Sequence, residues 1–235
     1  MNKPEIIIAM DLPNKEAVDA FISQFSANES LYLKVGMELY YKEGPAIITY
    51  LKEKGHRIFL DLKMHDIPNT VKSAMRSIAS LGVDLTNLHA AGGKKMMEAA
   101  IEGLIEGSPN GKRPLIIAVT QLTSTSKEVM NLELGIPGEV ADSALNYAKL
   151  AKEAGLDGVV CSVHEASTVH KACGADFIAL TPGIRLLGDD SHDQTRVATP
   201  ALGKEEGSNY IVIGRSITGA ENPYEIYQRV QREID

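Results

Sequence analysis

The sequence predicts an α/β protein with a (β/α)8 TIM-barrel fold, because short apolar runs alternate with amphipathic stretches along the whole chain. Eight apolar runs of four to seven residues are rich in Ile, Val and Leu, as buried parallel strands are. Eight helical candidates lie between and after these runs, and glycines follow several of them. A doubly wound open sheet is the alternative arrangement of the same pattern.

The elements follow one another from the N-terminus without a linker or a low-complexity segment. The predicted strands are Ile6–Asp11, Leu31–Gly36, Arg57–Lys63, Leu85–Ala90, Leu115–Thr120, Gly158–Ser162, Phe177–Pro182 and Tyr210–Arg215. The predicted helices are Lys15–Phe25, Gly44–Lys54, Pro68–Leu81, Lys94–Glu106, Glu139–Ala154, His164–Lys171, Ala198–Glu206 and Pro223–Glu233. Glycines stand where they commonly end a helix at Gly55, Gly82, Gly107, Gly155 and Gly207.

Length and composition limit the class of protein. The 235 residues, 44% of them hydrophobic, suit one domain spanning residues 1–235 with a substantial core. A net charge of -7 argues against binding to nucleic acid or to an anionic membrane, and no apolar run reaches the roughly 18 residues of a membrane span. The N-terminus shows no signal-peptide pattern, and Cys161 lies in an apolar run that predicts a buried, reduced thiol. We therefore expect a cytoplasmic protein without disulfides.

The stretch FLDLKMHDIPNT, from Phe59 to Thr70, carries the strongest functional pattern. Side chains two apart on a strand share a face and lie roughly 6–7 Å apart, so Asp61 and Lys63 are predicted to lie together at a strand end. Asp66 follows the strand, just before Pro68, which suits the first turn of a helix. The pattern predicts an ammonium flanked by two carboxylates. An ion pair on a solvated loop is the alternative, although Asp61 and Lys63 interrupt an apolar strand.

Polar residues also follow or interrupt the other predicted strands. They are Asp11, Lys34, His89, Thr120, Gln121, Thr123, Ser124, Thr181, Arg185, Gly214 and Arg215. Because the C-terminal ends of barrel strands meet at one rim, these residues are predicted to converge there. We interpret His89 as a packed residue at a strand end rather than as a metal ligand.

The last two strands predict a phosphate site. The segments TPGIR and IVIGR each place glycine near an arginine, Arg185 and Arg215, and loops after strands 7 and 8 commonly bind phosphate in such barrels. Arginine adds charge-assisted hydrogen bonds to phosphate oxygens. The long segment at about 183–195 is interpreted as a mobile loop that closes over the phosphate, and a disordered surface insertion is the alternative.

A divalent metal at Asp61 and Asp66 is a further alternative from the residues alone. The ammonium groups of Lys34 and Lys63 argue against it, because they already balance the two carboxylates. The six histidines and two cysteines show no zinc-binding spacing.

The motifs together resemble one family. DLKMHDIPNT is similar to the D-x-K-x-x-D-I-x-x-T signature of the orotidine 5'-phosphate decarboxylases, and AMD, LKVGMEL, VTQLTS, TPGIR, DQTRVATP and VIGRSIT follow in the family's order. The resemblance covers essentially the whole chain and is to the short bacterial form. It implies a homodimeric barrel that converts orotidine 5'-phosphate to UMP and carbon dioxide without a metal or an organic cofactor.

The resemblance also implies roles for individual residues. Lys63 would be the proton donor, and the charged array around it would be Lys34, Asp61 and Asp66, with Asp61 also at the substrate. Residues reaching into the neighbouring subunit's site would be Asp66, Ile67 and Thr70. Ribose hydroxyls would meet Asp11 and Lys34, and the pyrimidine would meet Thr123, with Ser124 as the adjacent candidate. Phosphate binding and loop closure would involve Arg185, Gln194, Gly214 and Arg215.

Two other functions share parts of this pattern. A magnesium-dependent sister family decarboxylates or condenses sugar phosphates and shares D-x-K-x-x-D, but its usual pattern has an acidic metal ligand where this chain has Lys34. A catalytically inactive phosphate-binding barrel that acts as a regulator is the second alternative. The complete set of Lys34, Asp61, Lys63 and Asp66 argues against it.

Overall fold

The computed structural model describes residues 3–109, 111–186 and 198–235, and its eight parallel strands form a closed barrel in chain order. The strands are β1 (Glu5–Ala9), β2 (Tyr32–Gly36), β3 (Arg57–Met64), β4 (Leu85–His89), β5 (Leu115–Val119), β6 (Gly158–Val160), β7 (Ile178–Thr181) and β8 (Tyr210–Ile213). The predicted (β/α)8 barrel is confirmed. The closed order excludes the doubly wound open sheet.

Helices connect the strands on the outside of the barrel. In the described residues they are α1 (Lys15–Ile22), α2 (Met37–Glu43), α3 (Ala46–Glu53), α4 (Pro68–Ser80), α5 (Lys94–Glu106), α6 (Val140–Glu153), α7 (Val163–Cys173), α8 (Pro200–Glu205), α9 (Arg215–Thr218) and α10 (Pro223–Glu233). Each predicted helix is present. The short helices α2 and α9, a 3-10 turn at Ala90–Gly92 and a π-helical turn at Val129–Glu133 were not predicted.

Side chains at the helix starts explain where several helices begin. Asn14, Thr199 and Asn222 each accept a hydrogen bond from a backbone N–H in the first turn of their helices. At the start of α7, Glu165 Oε2 accepts a hydrogen bond from the backbone N–H of Ser162 at 2.8 Å, which is one half of a capping box. Gly107 lies at the C-cap of α5, as predicted, but its φ is -86°. Its small size is needed for another reason, since a Cβ there would lie 2.2 Å from the Arg76 carbonyl oxygen on α4.

The core has two parts, because side chains alternate between the two faces of each strand. A larger cluster packs between the barrel and its helices. The cluster inside the barrel consists of Ile7, Ala9, Tyr32, Phe59, Leu85, Ile117, Leu180, Tyr210 and Val212. Cys161 and Cys173 are buried and are not joined in a disulfide, as predicted for Cys161.

Three side-chain ties secure the N-terminal ends of the strands. The residues before β4, β6 and β8 are Asp84, Asp157 and Asn209. Their side-chain oxygens each lie 2.7 Å from a backbone nitrogen near the start of β3, β5 and β7, belonging to Ile58, Ile116 and Ala179 respectively. Each tie therefore joins an odd strand to the even strand that follows it.

The C-terminal end of β3 departs from regular strand geometry. Leu60 pairs with Thr86 and Met64 pairs with Leu88, so the β3–β4 register shifts between these pairs. Within this bulge, Lys63 has φ 51°, the one positive φ of a non-glycine residue in the described parts of the chain. Bulges of this kind re-aim side chains and are frequent next to active sites.

Candidate active site

Four charged side chains form a connected array at the C-terminal rim of the barrel. Lys63 Nζ lies 2.7 Å from Asp61 Oδ1, and Lys34 Nζ lies 3.6 Å from Asp61 Oδ2. Lys34 Nζ also lies 2.9 Å from Asp11 Oδ1. The charges of this array therefore alternate in sign in the order Asp11, Lys34, Asp61 and Lys63. Asp11 follows β1, Lys34 lies in β2, and Asp61 and Lys63 lie in β3.

Asp61 is the centre of this array and is only 8% exposed. Burial acts to raise the pKa of its carboxyl group, but the Lys34 and Lys63 ammonium groups act against burial. The net pKa lies below the ordinary value of 3.8, so Asp61 is a carboxylate at neutral pH. Its burial also excludes the alternative of a solvated surface ion pair.

Asn87 and Gly36, for which the sequence pattern predicts no role, support the array. Asn87 on β4 is 1% exposed and donates from Nδ2 to Asp61 Oδ1 at 2.7 Å. Gly36 leaves room for the ion pair between Lys34 and Asp11, since a Cβ at Gly36 would lie 3.1 Å from both Asp11 Oδ1 and Lys34 Nζ.

A cavity of about 210 Å³ opens beside the array. Its polar lining includes Lys34, Asp61, Lys63, Asn87, Gln121, Thr123 and Ser124. Its apolar walls come from inside the barrel and include Phe59, Val119, Val160, Leu180 and Val212. The cavity thus offers apolar walls to a flat ring and charged groups at one side.

A second cavity of about 380 Å³ contains the predicted phosphate-binding residues within the described parts of the chain. It is lined by Ala9, Asp11, Lys34, Pro182, Gly183, Arg185, Val212, Gly214, Arg215 and Thr218. Lys34, Pro182 and Val212 line both cavities, so the two are adjacent. Gly214 and Arg215 are at the start of the short helix α9, which follows β8, and a short extra helix there is a common phosphate-binding feature of barrels.

Several predicted residues lie away from these cavities or outside the described parts of the chain. Asp66, Ile67 and Thr70 are exposed and do not line either cavity. Asp66 Oδ1 accepts a hydrogen bond from the backbone N–H of Ile67 at 2.6 Å. Gln194, with most of the predicted loop at about 183–195, lies outside the described residues, and its role stays a prediction.

His89 is half-buried at the end of β4, with its ring centroid 5.6 Å from that of His65. Burial, and then the nearby His65 and Lys63, lower the pKa of His89. Among the described residues, no three His, Cys, Asp or Glu side chains are grouped closely enough to hold a metal ion. None of the helices in that part of the chain has the length and apolar character to cross a membrane.

Comparisons with known proteins find relatives that match almost the whole chain. Residues 4–230 match the model of the family described as "Orotidine 5'-phosphate decarboxylase / HUMPS family". A protein of Bacillus cereus (strain AH820) named orotidine 5'-phosphate decarboxylase is 62% identical over 229 residues, covering 97% of this chain and 96% of its own length. A protein of the same name from Bacillus cytotoxicus shows the same identity and coverage.

Two solved structures are also similar. The crystal structure of orotidine 5'-phosphate decarboxylase from Lactobacillus acidophilus has a TM-score of 0.89 and 42% identity, with all of both chains covered. That of an uncharacterized conserved protein from Geobacillus kaustophilus has a TM-score of 0.88 and 52% identity, covering 98% of this chain and 100% of the other.

Proposed function

We infer that this chain, which belongs to the orotidine 5'-phosphate decarboxylase / HUMPS family, is a carboxy-lyase that converts orotidine 5'-phosphate to UMP and carbon dioxide in pyrimidine biosynthesis. One observation of the site carries this inference beyond the family match. A buried carboxylate lies between two ammonium groups beside a cavity that adjoins a second one lined by two arginines. The reaction needs this combination of localised charge and remote anion binding.

The chemical problem is the electron pair left on C6 of the pyrimidine. When the bond between C6 and the carboxylate breaks, carbon dioxide leaves and the pair stays in an sp2 orbital that the ring does not delocalise. We propose that the Lys63 ammonium stabilises this carbanion and then gives its proton to C6, after which water reprotonates Lys63. Fixed charges aimed at a developing charge are an effective source of transition-state stabilisation.

Asp61 has two tasks in this mechanism. Its carboxylate accepts from Lys63 Nζ and so fixes the direction of the ammonium group. Its negative charge also attracts the ammonium group across the 2.7 Å between the two side chains and so keeps it beside the cavity. Lys34 balances the same carboxylate from its other oxygen.

We propose that the substrate spans the two adjacent cavities. The pyrimidine would lie in the cavity lined by Thr123 and Ser124, and the ribose hydroxyls would meet Asp11 and Lys34 where the cavities adjoin. The phosphate would lie against Arg185, Arg215 and the backbone at Gly214. Because the phosphate is remote from C6, its binding energy can orient the ring and so raise turnover as well as affinity.

We propose a homodimer with shared active sites. Asp66, Ile67 and Thr70 follow β3 and do not line their own chain's two cavities, and the Ile67 side chain is exposed although apolar. In a closed two-fold dimer these residues of each subunit would complete the site of the other subunit, which makes two equivalent shared sites.

We propose a cytoplasmic location, which the two cysteines outside any disulfide and the biosynthetic role support.

We propose that the reaction needs no metal or organic cofactor. The support is the donor set, since an ammonium, Lys34, faces Asp61 where a magnesium-dependent relative would offer a carboxylate. This position discriminates against the alternative of a magnesium-dependent sugar-phosphate decarboxylase or aldolase.

The test is a spectrophotometric assay of purified protein with orotidine 5'-phosphate, before and after dialysis against EDTA. We expect the absorbance of the substrate to fall at the same rate in both samples. A protein that leaves the absorbance unchanged is not this enzyme. A rate lost on dialysis and restored by magnesium would move the chain to the sister activity.

A further inference from the structure

Asn87 uses both ends of its amide to join the two residues of the central ion pair. Its Nδ2 donates to Asp61 Oδ1 at 2.7 Å, and its Oδ1 accepts from the backbone N–H of Lys63 at 2.9 Å. The side chain is 1% exposed, so water cannot replace either contact. The orientation of the amide is fixed by its partners, since only the NH2 group can face a carboxylate and only the oxygen can face an N–H.

The second contact falls at the strained point of β3. The β3–β4 register is irregular between Leu60 and Met64, and a side chain, rather than a regular ladder partner, accepts the Lys63 N–H. Lys63 also has φ 51°, a conformation that a non-glycine residue keeps only where its surroundings hold it.

The residue before Asn87 supports the same bulge from its other end. Thr86 is fully buried and donates from Oγ1 to the Leu60 carbonyl oxygen at 3.1 Å. Two successive buried polar residues of β4 therefore serve one irregularity in β3. Only the second of them, Asn87, also touches a charged group.

We propose that Asn87 is a positioning residue, which holds Lys63 in its left-handed conformation and Asp61 in its rotamer so that the Lys63 ammonium faces the cavity. The proposal rests on the proposed decarboxylation and adds a residue that acts through Lys63 rather than on the substrate. Asparagine suits this position because its amide both donates to Asp61 and accepts from the Lys63 N–H. Leucine has a similar shape but offers neither contact, and an ionised aspartate would accept from Lys63 but repel Asp61.

The test compares Asn87→Leu and Asn87→Asp with a control variant, Thr181→Val. Thr181 is also fully buried, and its Oγ1 donates to Ser208 Oγ at 2.8 Å, but neither residue lines the two cavities. We expect Asn87→Leu to lower kcat by about 100-fold, the order of loss that a misplacement of about 1 Å produces, with little change in KM. Thr181→Val should lose stability without losing turnover.

Asn87→Asp gives a readout that a purely structural role would not move. Two adjacent carboxylates raise the pKa of one of them, and the introduced carboxyl group, once protonated, can donate to Asp61 as the amide does. The kcat of this variant should therefore rise as pH falls, whereas that of the native protein should not. The variant keeps the volume of Asn87 and so serves even where Asn87→Leu does not fold.

Normal kcat in a folded Asn87→Leu variant would overturn the proposal, as would an Asn87→Asp profile parallel to that of the native protein. Failure of the proposed function is distinguishable, because the native protein would then be inactive. In that case a crystal structure of Asn87→Leu decides the positioning role. Lys63 retained at positive φ with its ion pair to Asp61 intact would overturn it.

Discussion

Replacing Asp61 by asparagine removes the negative charge that lies between the ammonium groups of Lys34 and Lys63, while it keeps the shape of the side chain. Lys63 Nζ lies 2.7 Å from the carboxylate, and the Asp61 side chain is 11% exposed. We expect a loss of free energy of unfolding at neutral pH. The size of this loss depends on which contacts Lys34 and Lys63 keep in the variant.

The remaining contacts set the magnitude at about 2 kcal/mol, within the range of about 1.5–3 kcal/mol for hydrogen bonds to charged groups. A fully buried charge left without a partner costs about 3–5 kcal/mol. Lys34 escapes that cost, since it keeps Asp11 at 2.9 Å. Lys63 escapes much of it, since its side chain is 28% exposed and reaches water.

The loss should depend on pH in a defined direction. The pKa of Asp61 is lower in the folded protein than its ordinary value of 3.8. The stabilisation by the carboxylate is therefore fully present above pH 3.8 and is lost as pH falls through the folded-state pKa. The difference between the native protein and Asp61→Asn should be constant near neutral pH and should shrink in acid.

Urea unfolding followed by far-UV circular dichroism suits this comparison, because the chain has no tryptophan. Protein concentration must be held fixed, since association would add to stability. Asp11→Asn is the matched control. It also takes a carboxylate from Lys34, but its side chain is 60% exposed, so it should cost about 0–1 kcal/mol. Equal stability of native protein and Asp61→Asn, or a difference that persists unchanged in acid, would refute the reasoning.

Three further variants test the proposed roles. Lys63→Ala should abolish turnover, a loss of several kcal/mol of transition-state stabilisation, while circular dichroism shows an unchanged fold; near-normal turnover would remove Lys63 from its role. Arg215→Ala should weaken orotidine 5'-phosphate by about 10- to 150-fold, the equivalent of about 1.5–3 kcal/mol, and the nucleoside little; equal effects on both, measured by steady-state kinetics, would assign Arg215 to the fold. Inactive Lys63→Ala and Asp66→Ala proteins, unfolded and refolded together, should regain about a quarter of the native active sites if each site is shared. No recovery after proven subunit exchange would place Asp66 in its own chain's site.

The sequence predicted the fold well because its strands are continuous aliphatic runs and its longer helices have room for amphipathic periodicity. The short helices α2 and α9 were missed because each begins within two residues of the last residue of a strand, so no loop pattern separates it from that strand. Missing α9 affects the prediction of the phosphate site. Gly214 and Arg215 were predicted as a strand end, whereas they start the short helix beside the second cavity.

The charged array was predictable from Asp61 and Lys63, but its geometry was not. Alternation along an ideal strand placed the two side chains on one face, without the bulge that re-aims Lys63. Asn87 gave no signal, because uncharged polar residues such as Thr86 and Asn87 also occur in ordinary strands. Asp66 differs again, since the site that we propose for it belongs to a second copy of the chain, and the position of Asp66 in one chain does not show it.

The three ties at the N-terminal ends of the strands have a consequence for how the chain can be rearranged. Each tie spans a short stretch of sequence, 26, 41 and 30 residues for Asp84, Asp157 and Asn209. New chain ends near Gly111, between β4 and β5, would leave every tied pair of strands on a continuous piece of chain. New ends near Gly82 would separate Asp84 from Ile58 by almost the whole length of the protein. Circular permutation should therefore respect the strand pairs, with break points between pairs accepted and those within pairs resisted, although both of these glycines precede a strand in the same way.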